Sequence, residues 1–222
     1  MDEKIVGRCL RRNQWSVEQS AKHPEFISLI NIDPRMDADI MRDEVRNRVA
    51  EGARGVNVHS CMQRFYLFDR RMWPCYEVCD ELQVPVCFHT GDFGGTEFDF
   101  SPQFHSNPKF LLDVLRDFPT MPVIMSHMGR PFSEHTKDIA ERYPHINFDC
   151  TGLLSKKGDV VSEEYFIEMI QEIGVERIVI GTDYPHMDSA AQFGRLRGLN
   201  LTEQEKKLIL RDNALRIFKI AA

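Results

Sequence analysis

No apolar run in this 222-residue chain approaches the roughly 20 residues needed to cross a membrane. The start, MDEKIVGRCLRRNQW, holds no apolar signal core. Both absences predict a cytoplasmic protein with no membrane partner. Positive charge is in deficit, with a net charge of −6, which argues against nucleic acid as a partner. No GxGxxG or GxxxxGK[ST] loop follows any apolar run, so a nucleotide-binding doubly wound sheet is disfavoured. The six cysteines include no CxxC redox pair and no zinc-knuckle spacing. Cys87 and Cys150 fall in apolar, strand-like runs, where a thiol packs as a small hydrophobe. All six are expected to be reduced. Low-complexity segments and dividing linkers are lacking too, so residues 1–222 are expected to form a single domain.

Against these absences stands a repeated unit: a short apolar run, a loop, then a longer amphipathic stretch. The runs are Phe26–Asp33, Gly55–Ser60, Val84–Thr90, Pro122–Met128, Ile146–Thr151 and Arg177–Asp183. Each is too short for a typical helix and reads as a buried strand. Helical patterns follow over Asp37–Glu51, Arg71–Leu82, Pro108–Phe118, Glu134–Tyr143, Glu163–Ile173 and Thr202–Ile220. Asn107 before Pro108 and Ser162 before Glu163 are helix-start signals. Gly174 suits a helix C-terminus, and Thr202 with Glu205 has capping-box spacing. Buried strands alternating with helices imply parallel pairing through right-handed crossovers. That pattern fits a closed barrel and an open sheet alike. The longest irregular stretch, Gly91–Ser106, carries four phenylalanines and two adjacent glycines, and reads as an active-site lid.

The strand ends decide in favour of a barrel. His59 closes VNVH, His89 closes VCFH, His127 closes IMSH and Asp183 closes IGTD. A core strand has no packing reason to finish in imidazole or carboxylate, whereas the C-terminal edge of a parallel barrel is where active sites are built. One such histidine alone would be read as a hydrogen-bonded structural residue; four on four strands point to a shared site. Imidazole and carboxylate together suit Zn²⁺ or another borderline ion such as Mn²⁺. Such an ion would generate hydroxide near neutral pH.

VPVCFHTG, PVIMSHMGRP, INFDCTG and RIVIGTDYPH, with the closing helix RDNALRIF, resemble the amidohydrolase-related (Amidohydrolase 2) family. That group includes aminocarboxymuconate-semialdehyde decarboxylase and pyrone-dicarboxylate lactonase. The resemblance runs from about KHPEFISLINIDPR to the C-terminus. It implies a (β/α)8 TIM-type barrel and a metal-dependent hydrolase or non-oxidative decarboxylase of a small carboxylated or cyclic substrate. By position it makes His89 and Asp183 metal ligands, and His127 and Asp183 catalytic acid–base groups. His59, Arg130 and His186 are assigned to substrate. The implied cofactor is a divalent metal, zinc first and manganese second, and the implied assembly is a homo-oligomer.

The family's first strand carries His-x-His, and no His-x-His occurs in this sequence. The barrel is therefore expected to be N-terminally incomplete, with six or seven of eight strands, against the usual ~250 residues of such a fold. The opening segment MDEKIVGRCLRRNQWSVEQSAKHPEF reads as the remnant of a second strand and its helix. Open strand edges and a donor set too sparse to hold metal tightly are the expected consequences. A fragment of a longer product is the favoured explanation. A barrel completed by another segment or subunit, and an inactive relative serving as an assembly partner, are the alternatives.

Overall fold

The computed structural model describes residues 3–91, 105–153 and 162–221. Six short strands form one sheet: β1 Leu29–Asn31, β2 Gly55–Val58, β3 Val86–Phe88, β4 Val123–Met125, β5 Asn147–Asp149 and β6 Ile178–Val179. All pairings are parallel, and the spatial order follows the chain, β1 to β6 without reversal. An unreversed strand order, with the crossover helices between successive strands on one face, is barrel winding; a doubly wound sheet would need a switch point. Each of the six anticipated strands is present but shorter than its apolar run, because the ladder stops where the polar strand-end residues turn away.

The pleat sorts the side chains. Ile30, Val56, Val58, Val86, Phe88, Val123, Met125, Phe148 and Ile178 belong to the main core beneath the helices. The alternate positions Cys87, Ile124 and Val179 form a second, smaller cluster with Ile217, flanked by Leu29, Ala214 and Phe218. The C-terminal helix thus fills the concave side of the sheet with apolar atoms.

Helices α2 (Ala38–Ala50), α4 (Trp73–Leu82), α5 (Leu111–Asp117), α6 (Ser133–Arg142) and α7 (Glu163–Ile173) match the amphipathic stretches. The turns before α4 and α5 are 3₁₀-helical, at Arg70–Met72 and Pro108–Phe110. Asn107 and Ser162 cap as anticipated, accepting from the N–H groups of Lys109 and Tyr165. Gly174 ends α7 with φ of 100°. A four-residue turn of helix, α3 (Ser60–Gln63), follows β2, and α8 (Ser189–Gly198) follows β6. The tail is less uniform than its sequence pattern. After the Thr202–Glu205 capping box come α9 (Glu203–Lys207), a π-helical turn (Leu208–Asp212) and α10 (Asn213–Ile217).

Two expectations need correction. The opening segment holds the anticipated helix, α1 (Glu3–Lys22), but no strand among its described residues. Val6, Asn13 and Val17 are its buried residues, a spacing of seven and four that keeps one stripe against the core. The sheet edges are also not left bare. Asn13 donates from Nδ2 to the Asn31 carbonyl (2.8 Å) and accepts from the Asn31 N–H at Oδ1 (2.8 Å). At the far edge Asn213 Nδ2 donates to the carbonyls of Ile178 (2.7 Å) and Val175 (2.9 Å), and the Ile180 N–H donates to the Ile209 carbonyl. Side-chain amides satisfy groups that a further strand would otherwise pair.

Candidate active site at the strand mouth

Three of the strand-end residues meet. His127 Nε2 lies 3.2 Å from His89 Nδ1, and the His89 ring stacks on His59 with centroids 3.9 Å apart and planes 12° from parallel. His127 Nδ1 sits 3.0 Å from the Thr151 carbonyl oxygen. A carbonyl only accepts, so that nitrogen carries the proton and Nε2 of a neutral His127 must accept. His89 then donates from Nδ1, which leaves its other ring nitrogen with a bare lone pair. This is the tautomer a metal-binding imidazole requires, fixed by an outer partner.

Burial is the largest cause depressing both ionisations. It holds His59 down at about 4, with the charge of His127 adding to it and Asp183 opposing it. His89 is held at about 2, with His59 and His127 adding to the effect. Both rings are neutral at pH 7, the form that ligates metal.

The backbone explains how the side chains reach the mouth. His127 (φ 59°), Met128 (φ 48°) and Gly129 (φ 68°) form a run of left-handed residues directly after β4, and Asp183 (φ 50°) is left-handed after β6. For a non-glycine residue that conformation costs roughly 1–2 kcal/mol, and such strain gathers where function requires it. The His127 turn is held by Asp149 Oδ1, which accepts from the N–H groups of His127 (3.1 Å) and Thr151 (2.9 Å). Thr136 Oγ1 braces it from α6 by donating to the Met128 carbonyl. Gly91 of the HTG motif has φ of 87°, and a Cβ there would collide with the Arg130 carbonyl oxygen.

The remaining anticipated residues are placed differently. Asp183 is exposed at the end of β6, close enough for its charge to act on His59. His186 is also exposed, and its N–H closes the Asp183 turn by donating to the Asp183 carbonyl (2.8 Å). Arg130 has partners on another face of its turn. The left-handed turn sends it into a cleft with Ser133, Leu153, Tyr165 and Phe166, where its guanidinium feels the Tyr165 phenol. Residues 92–104 of the proposed lid lie outside the described residues. His105, at its end, stacks on Tyr66 at 4.8 Å.

Sequence reasoning missed two contributors. Asp149 ends its strand in a carboxylate, as each of the five other runs has a titratable group at or near its end, a signal that INFD carried openly. Cys61 lies two residues past His59, with Sγ 3.2 Å from His59 Nδ1. His59, Cys61 and His89 each offer a donor atom within 4.8 Å of the others. The donors are therefore neither as few nor as widely spread as the strand ends alone suggested.

A parallel βα fold of barrel winding, with imidazoles, a thiol and a carboxylate at the C-terminal ends of its strands, defines a barrel-type protein whose candidate site lies at the strand mouth. The sequence profile of the family described as Amidohydrolase matches residues 3–220, and the chain belongs to that family. Gamma-resorcylate decarboxylase of Polaromonas sp. (strain JS666) is 24% identical over 249 residues, covering 95% of this chain and 76% of its own length. An uncharacterised TIM-barrel protein from Bordetella bronchiseptica superposes with TM-score 0.78 at 22% identity, over 94% of this chain and 72% of that one. The 5-carboxyvanillate decarboxylase of Novosphingobium aromaticivorans DSM 12444, solved with manganese and 4-hydroxy-3-methoxy-5-nitrobenzoic acid, has TM-score 0.77 at 18% identity, covering 96% and 70% of the two chains.

Proposed function

We propose that the chain is a divalent-metal-dependent, non-oxidative decarboxylase of a small aromatic carboxylate. The contact between His89 and His127 carries this reading, because it leaves one His89 nitrogen unprotonated and aimed from a strand end. Sequence alone left hydrolysis and decarboxylation open; the activity named for the Polaromonas relative supports decarboxylation.

His89 and Asp183 are the residues assigned to the metal, and the neutral His89 ring fits that assignment. A bound divalent ion would supply positive charge against the substrate's oxygens, and the ion named with the carboxyvanillate enzyme is manganese. The reaction exchanges the bond from the ring carbon to the carboxylate for a carbon–hydrogen bond as CO₂ leaves. Asp183, exposed beside the imidazoles, delivers that proton to the ring carbon. His127 holds the His89 tautomer in the resting site and is the second acid–base group of the mouth. The left-handed turns at His127 and Asp183 hold both side chains where a bound ring can meet them.

The test is release of CO₂ from 2,6-dihydroxybenzoate and 5-carboxyvanillate by purified protein, with and without added Mn²⁺. Turnover should vanish on chelation, return with metal, and fall at least about 100-fold in His89→Ala and Asp183→Asn. A metal-loaded, folded protein that decarboxylates no hydroxybenzoate would overturn the reading.

A further inference from the structure

A thiol stands beside the paired imidazoles. His59 immediately precedes α3 and Cys61 lies in its only turn, so the two side chains leave neighbouring points of one tight bend toward β3. Cys61 is buried at 5% exposure. Its Sγ is 3.2 Å from His59 Nδ1, and the His59 ring lies flat against His89. Among the described residues these three form the one convergent group of metal-donor side chains.

We propose that Cys61 is a metal ligand, and that His59, Cys61 and His89 together hold a zinc-class ion at the mouth. This rests on the reading that the mouth binds metal, and it adds which donors bind and which ion they select. In a tetrahedral zinc site, Zn–N near 2.0–2.1 Å and Zn–S near 2.3 Å place the N···S edge at about 3.6 Å. The His59–Cys61 pair needs to open by only a few tenths of an ångström, with the two rings swinging out of their stack. The thiol S–H bond breaks as the sulfur–metal bond forms, and the proton leaves to buffer. Thiolate is a soft donor that favours zinc or cobalt over manganese, so this mouth differs in preference from the manganese-bound relative. The other buried thiols have other surroundings: Cys75 faces Cys79 at 4.0 Å, while Cys87 sits among Ile124, Val179 and Ile217.

The experiment loads chelator-treated full-length chain with Co²⁺ and follows its absorption spectrum. One equivalent should produce a near-ultraviolet thiolate-to-cobalt charge-transfer band that Zn²⁺ abolishes. Cys61→Ser should lose the band and weaken Zn²⁺ binding beyond the ~10–100-fold cost of losing an outer partner, whereas Cys9→Ser should keep both. X-ray absorption on the zinc-loaded wild type should show one sulfur neighbour at about 2.3 Å, which decides the matter even if Cys61→Ser does not fold. Metal bound without sulfur, a band that survives Cys61→Ser, or no binding of either ion overturns the proposal. Undiminished manganese-supported decarboxylation in Cys61→Ser, with no thiolate band in wild type, would sink this ligand assignment and leave the decarboxylase standing. Sulfur-ligated zinc in a protein that turns over no hydroxybenzoate would do the reverse.

Discussion

Asn13 makes with Asn31 the two hydrogen bonds that a neighbouring strand would make, one in each direction and both 2.8 Å. The amide is fully buried and also donates to Glu44 Oε1 at 3.0 Å. A helix side chain thereby takes the place of a strand neighbour at Asn31, and Asn213 covers the Ile178 carbonyl of β6.

Replacing Asn13 with alanine strands the Asn31 N–H and removes a partner from the nearly buried Glu44. An unsatisfied buried polar group costs about 1–3 kcal/mol, so a loss of about 2–4 kcal/mol is expected from urea denaturation. Asn13→Asp should be at least as damaging, because a carboxylate cannot donate to the Asn31 carbonyl. A loss below about 1 kcal/mol in both variants would show that the edge does not depend on this amide.

Asp149 reaches the chemistry through the backbone. Asp149→Ala orphans the N–H groups of His127 and Thr151 and frees the left-handed turn, whereas Asp149→Asn retains an acceptor. Alanine should lower kcat at least about tenfold, with KM less affected and a stability cost of about 1–3 kcal/mol; asparagine should recover much of both. Equal damage from the two substitutions would mean that the charge, and not the turn, is what matters.

Acid should weaken the chelator-treated protein through His59 and His89. Above the ordinary histidine value of 6.5, the rings are neutral in folded and unfolded chains alike, and the full stability is present. Below 6.5 the unfolded chain takes up protons that the buried rings refuse, so stability falls as pH drops toward about 4 for His59 and about 2 for His89. The slope approaches about 1.4 kcal/mol per pH unit for each ring. Urea midpoints measured between pH 7.5 and 5 should fall in wild type and flatten in the His59→Asn, His89→Asn double variant. An unchanged slope in that variant would assign the acid sensitivity to other groups.

Much of the fold was legible because its signals are local. Strand runs such as VPVCFH and RIVIGTD, and capping residues such as Asn107, Ser162 and Thr202, act within a few residues of where they stand. The opening segment shows a helix without the strand that the family resemblance implies before it, and residues 3–22 contain no proline to break that helix. Its register against β1 rests on Asn13, whose purpose is visible only beside Asn31. Arg130 follows His127 closely in sequence, yet the left-handed turn between them carries it to Tyr165. Cys61 went unremarked because a thiol two residues past a histidine acquires meaning only when a second imidazole, thirty residues away along the chain, is laid against the first.

The sequence by itself determined the alternation of strand and helix and the polar strand ends, since hydrophobic periodicity and residue type are written along the chain. Only the tertiary structure decided that the strands run in unbroken order, that His59, Cys61, His89 and His127 converge, and that Asn13 and Asn213 cover polar groups at the two sheet edges. Those outcomes depend on contacts between residues distant in the chain, and backbone turns set where each side chain points.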